Sequence, residues 1–179
     1  MKKLKTLLAT VLLATTTSTL VYANTTEQQF QQGLAAYDNG DYQIAFKLWK
    51  PLADEGNIDL QFSLAQMYRS GMGVTQNYQQ AFQYYKKAAE RGHIQAQYNL
   101  AMIYKSGLGI KQNDQQAFKW FQQAAEKGDV LAQSMLGVMY GLGQGVKKDS
   151  VRAKMWVGRA CDNGHQDSCD MYRMLNKEK

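Results

Sequence analysis

Apolar positions between residues 58 and 165 return every 36 residues, and inside each period they fall at helical spacing. In the block 94–129, Ala96, Leu100, Ile103 and Tyr104 stand at i, i+4, i+7 and i+8, the stripe of a helix with one buried face. Ser106-Gly107-Leu108-Gly109 ends that helix, because glycine enters left-handed backbone without steric cost. Asn113 then caps a second helix whose inner face is Ala117, Trp120, Phe121, Ala124 and Ala125. Gly128 closes the second helix, and Asp129 caps the next one at once. The blocks 58–93 and 130–165 repeat all of this without a gap, with Leu64 and Leu136, Tyr68 and Tyr140, and the caps Asn77 and Asp149 in equivalent places. No stretch alternates as a strand would. The pattern predicts an all-α chain of antiparallel helix pairs stacked in one array, since a period of this length marks units that bury their faces only against neighbours.

The ends depart from the period. Residues 24–57 form a variant helix pair with a shorter connection and no Gly-x-Gly element, and Pro51 is expected to kink or shorten its second helix. Residues 166–179 read as a capping helix and tail, with Gln166–Leu175 matching the first helix of a further unit.

The run Leu64-Ala65-Gln66-Met67-Tyr68-Arg69-Ser70-Gly71-Met72-Gly73-Val74, followed by Ala81, Ala88-Ala89 and Gly92, resembles the Sel1-like repeat family. Leu100 to Ile110 with Ala117, Trp120, Ala124-Ala125 and Gly128 repeats it, as do Leu136, Tyr140, Gly143, Gly145, Ala153, Trp156 and Gly164. The resemblance covers three repeats, 58–93, 94–129 and 130–165, while 27–57 is closer to the related tetratricopeptide pattern. It implies a right-handed α-solenoid with a concave groove that holds other proteins. It also implies an adaptor or regulator, of the kind found in bacterial envelopes and in host contact.

Residues 1–23 read as an address. Lys2, Lys3 and Lys5 precede the apolar run Leu7–Leu13, and Val21-Tyr22-Ala23 sets small residues where a signal peptidase cuts, before Asn24. The run is too short to span a bilayer. The expectation is a periplasmic or secreted product with no stable membrane insertion. Without the leader's three lysines, the 21 basic residues fall to 18 against 15 acidic ones, a balance of +3. That is too little, and too scattered, to argue for nucleic acid.

Cys161 and Cys169 flank the Gly164 break, and an even pair in an exported chain reads as a disulfide pinning the capping helix to the last full repeat. A redox-active pair is the alternative, although it calls for closer spacing and an exposed thiolate. The pair also resembles a secreted, cysteine-rich branch of the family in which such bonds staple every repeat.

Candidate chemistry is absorbed by the repeat. His93 and His165 share one repeat position two periods apart, too distant to share a metal, which leaves capping or surface roles. The glycine loops follow helices rather than strands, so they are not dinucleotide sites, and no cofactor is expected. The cysteine-rich branch is linked with penicillin binding and β-lactam hydrolysis, and Lys105-Ser106-Gly107 resembles one box of such serine enzymes. Residues 24–179 nevertheless contain no Ser-x-x-Lys, and Arg69 and Ser70 repeat the Lys105-Ser106 pair. The expectation is a non-enzymatic module without catalytic or metal-binding residues. Its partner, a protein or peptide with some acidic character, would lie in the groove on Phe62, Gln66, Arg69, Tyr98, Met102, Lys105, Ser134 and Val138. The other partner class is an anionic envelope glycan on Lys86, Lys87, Arg91 and the Lys147, Lys148 and Arg159 cluster.

Overall fold

The computed structural model describes residues 25–177; the leader expected at 1–23 lies outside the described residues. Helix α1 (25–38) pairs with α2 (Tyr42–Asp54). Three further pairs follow: α3 (Ile58–Ser70) with α4 (Tyr78–Glu90), α5 (Ile94–Ser106) with α6 (Asp114–Glu126), and α7 (Val130–Leu142) with α8 (Ser150–Asp162). Helix α9 (Gln166–Lys177) packs against α8. The substantial helix–helix contacts run between chain neighbours, as in a solenoid.

Equal boundaries follow from equal caps. Asn77, Asn113 and Asp149 accept the amides of Gln80, Gln116 and Arg152 at 2.9–3.0 Å and so start the second helices. The first helices start on Asn57, His93 and Asp129, which accept from Leu60, Ala96 and Ala132. Helix α2 is the one departure from expectation. It contains Pro51 yet keeps thirteen residues, as many as α3 to α8. Pro51 sits exposed in the last turn, where the missing N–H removes one bond rather than interrupting the ladder.

One aromatic contact holds each unit to the next. Phe46, Phe82 and Phe118 on second helices meet Tyr68, Tyr104 and Tyr140 on the following first helices edge-on, with centroids 5.2–5.4 Å apart. The second glycine of each loop permits the same stacking. A Cβ at Gly73 would lie 2.3 Å from Tyr42 carbon, and one at Gly145 would lie 2.1 Å from Asp114 oxygen. Around these contacts runs a core of Leu64, Leu100, Leu136, Met67, Met139, Tyr85, Phe121 and paired alanines.

Three of the junctions between units also carry a buried glutamine. Gln61, Gln97 and Gln133 donate to the carbonyls of Ala53, Ala89 and Ala125, eight residues earlier, at 2.9–3.3 Å. At the last junction the corresponding positions are Cys161 and Cys169, and they form a disulfide with Cα atoms 4.6 Å apart. A covalent bond thus stands where the other junctions use a hydrogen bond.

Candidate functional site

Helices α3, α5 and α7 each bury one face and leave the other open, so the array carries a continuous first-helix surface. The residues expected to line it divide by environment. Gln66, Met102 and Val138 occupy one row on the open face, with Met102 36% exposed. Arg69 and Lys105 stand at the carboxyl ends of α3 and α5, and Lys105 Nζ donates to Gln144 Oε1 at 2.9 Å.

Phe62, Tyr98 and Ser134 are engaged more deeply. Phe62 stacks on His93 at 4.4 Å and leans on Tyr85, while Tyr98 meets Phe121 edge-on at 5.7 Å. Ser134 stands where those aromatics stand in earlier repeats, and its hydroxyl accepts from Ser168 of α9 at 2.9 Å. These three shape the floor of the face, each with only part of its surface open.

Four of the six cations expected for a glycan are engaged with the protein itself, while Lys147 and Lys148 are exposed. Lys86 pairs with Glu90 at 3.7 Å, and Lys87 lies 4.0 Å from Asp54 and over the Tyr84 ring. Arg91 donates to the Gly56 carbonyl, and Arg159 covers Trp156. Asp54 also binds Lys50 at 2.6 Å and the Tyr84 hydroxyl at 2.8 Å. Burial, and then the carboxylate it donates to, push the Tyr84 phenol up to about 12. Burial raises the Asp54 carboxyl, but Lys50 and Tyr84 together hold it below its ordinary value.

The two histidines take different roles, His93 as a helix cap and His165 as the partner of a serine hydroxyl. His93 Nδ1 accepts the Ala96 amide at 3.1 Å, with Asp59 3.7 Å from its other nitrogen, and His165 Nδ1 meets the Ser168 hydroxyl at 2.8 Å. Ser168 is fully buried, so this serine–histidine contact faces no substrate. Ser106 turns back onto the Ile103 carbonyl at 3.3 Å while Lys105 reaches Gln144, so the Lys-Ser-Gly run converges on no common point. Among the described residues no group of three or more His, Cys, Asp or Glu side chains could hold a metal, and no helix is long and apolar enough to cross a membrane.

Sequence reasoning passed over two features. Leu131 and Leu142 are 48% and 64% exposed on the open face of α7, and subtracting one period would have flagged them, since Gln95 and Ser106 stand in their places. The glutamine ladder was equally accessible, because Cys161 and Cys169 align with Ala125 and Gln133.

A stack of helix pairs that leaves one helix face open along its length defines a helical-repeat scaffold for protein interaction. The Sel1 repeat model matches residues 30–57, 58–93, 94–129 and 130–165, and the chain belongs to the Sel1 repeat family. The match extends to the first unit, which the sequence pattern sets closer to the tetratricopeptide repeat. Among solved structures, a protective antigen present in uropathogenic Escherichia coli strains, displaying an SLR fold, is 35% identical with TM-score 0.77, over 82% of this chain and 32% of that one. A Sel1 repeat protein from Oxalobacter formigenes is 30% identical with TM-score 0.78, over 83% and 61% of the two chains. This chain therefore spans less than two thirds of either structure. Cysteine rich protein B of Helicobacter pylori is 26% identical with TM-score 0.55, over 68% and 92%. No curated relative matches the chain. The all-α, right-handed solenoid of stacked antiparallel pairs is thus the fold of this protein.

Proposed function

We propose that this chain is an exported, non-enzymatic adaptor or regulator that holds a protein segment on its first-helix face, in a bacterial envelope or in host contact. The observation that carries the reading is the row Gln66, Met102 and Val138, open along three repeats and edged by Arg69 and Lys105. Such a surface offers a flexible thioether, apolar contact and cations to one ligand. Export is supported by the pattern of residues 1–23 and by the Cys161–Cys169 bond, which an oxidising compartment maintains. A glycan reading is weaker, because Lys86, Lys87, Arg91 and Arg159 are already engaged.

The test is crosslinking in the native envelope followed by mass spectrometry, for the natural chain and for Tyr98→Ser with Met102→Ser. Loss of the crosslinked partner with an unchanged circular dichroism spectrum supports the reading. Retention of the same partner removes this face from the function.

A further inference from the structure

The open faces of the first helices change character along the stack. On α3 one row of the open face is Asp59, Ser63, Gln66 and Ser70, all polar, and on α5 its equivalents are Gln95, Asn99, Met102 and Ser106. On α7 they are Leu131, Met135, Val138 and Leu142, with both leucines substantially exposed. The repeat accommodates polar residues at these positions one and two units earlier, although Met135 also packs partly against the core. The spacing is 4-3-4 over about 16 Å, the seam with which one helix meets another. An extended segment, whose side chains alternate with period two, would not match it. Met174 of α9, one period after Val138 and 60% exposed, widens the apolar area.

The carboxyl end of this seam is basic. Lys105 reaches Gln144, two residues past Leu142, and the Lys148 Cβ lies against Gly143, 3.3 Å from where a Cβ would stand. Neither lysine enters any of the six ion pairs among the described residues. Helix α7 itself carries no carboxylate, and Asp129 at its amino end already accepts the Ala132 amide. A second copy of α7 therefore has little to offer these cations, whereas a partner's acidic first turn complements them.

We propose that the α7 face seats an amphipathic α-helix of a partner protein, apolar at heptad spacing and acidic in its first turn, lying antiparallel to α7. This orientation puts the partner's positive dipole end and its carboxylates beside Lys105, Lys148 and the negative end of α7. The proposal rests on the interaction-module reading and names the chemistry of its partner.

Fluorescence anisotropy with the full chain tests it. The probe is a designed 16-residue peptide with Leu at 4-3-4 spacing and Glu in its first turn. Binding should weaken at least about tenfold in L131Q/M135N/V138M/L142S, which gives α7 the residues α5 carries and should leave circular dichroism unchanged. A sibling peptide with Lys for Glu should bind about tenfold more weakly at low salt, and that gap should close at high salt and in K105Q/K148Q. The proposal is overturned if the acidic peptide does not bind, if the four-fold variant binds it equally, or if the charge-reversed peptide binds as well. It is also overturned if sedimentation finds a natural-chain dimer that the four-fold variant abolishes, because a second copy is then the occupant. Failure of the peptide while Tyr98→Ser with Met102→Ser still loses the envelope crosslink sinks this inference alone.

Discussion

Single residues in this protein are best understood as occupants of a repeat position. His93 stands where Asn57 and Asp129 stand, and it caps α5 only while its Nδ1 is unprotonated. Burial pushes the imidazole below 6.5, against the opposing pull of Asp59. The folded state therefore binds fewer protons than the unfolded one. Its contribution is complete above the ordinary histidine range and is lost as pH falls from about 6.5 toward the folded value. Urea midpoints should accordingly drop between pH 7.5 and 5.5, with a shallower drop in His93→Asn, whose amide caps at any pH. The glycines divide in the same way. Gly128 has φ of 94° and open space around it, so Gly128→Ala should cost about 1–2 kcal/mol of backbone strain. At Gly145 the new Cβ would also meet the Asp114 backbone, and Gly145→Ala should cost roughly 3 kcal/mol or more, both read from urea unfolding. The caps and closing glycines were legible in the sequence because each acts within four residues of itself. The partners of Ser134, Arg91 and Lys105 were not, since each lies more than 30 residues away in the chain.

At the scale of elements, the informative comparison is between junctions. Three are held by a buried glutamine on an alanine carbonyl and one by a disulfide at the same two positions. The two devices should be exchangeable. Cys161→Ala with Cys169→Gln gives the last junction the side chains of its neighbours and should fold, losing about 2–3 kcal/mol of chain-entropy stabilisation for a nine-residue loop. Ala125→Cys with Gln133→Cys should conversely form a second bond in oxidising buffer, detectable as the absence of alkylation at either cysteine in denaturant. Helix pairing was readable from periodicity, and the cysteine pair from its place astride the Gly164 break in a chain expected to be exported. The apolar seam on α7 was readable only by comparing α7 with α5 position by position, because in a helix with a high apolar content the exposed leucines otherwise look like core.

For the whole molecule, contacts between sequence neighbours make the fold nearly one-dimensional. Deleting 94–129 joins His93 to Val130 and sets Phe82 against Tyr140, the same pair of residue types that meets at every junction from Phe46 onward. The shortened chain should fold with one helix pair fewer, checked by circular dichroism and size-exclusion chromatography. Failure to fold would show that the repeats are less interchangeable than their boundaries imply. At the junction of α8 with α9 the chemistry changes, with Lys154 and Asn176 where the earlier junctions have Phe and Tyr, and Lys154 lies over Tyr172 instead. The disulfide lies at that junction and at no other among the described residues. Units nearest a covalent clamp open last. Hydrogen exchange and limited proteolysis should therefore advance from α1 toward α9, so that the α7 seam and its flanking lysines are among the last parts of the surface to be lost.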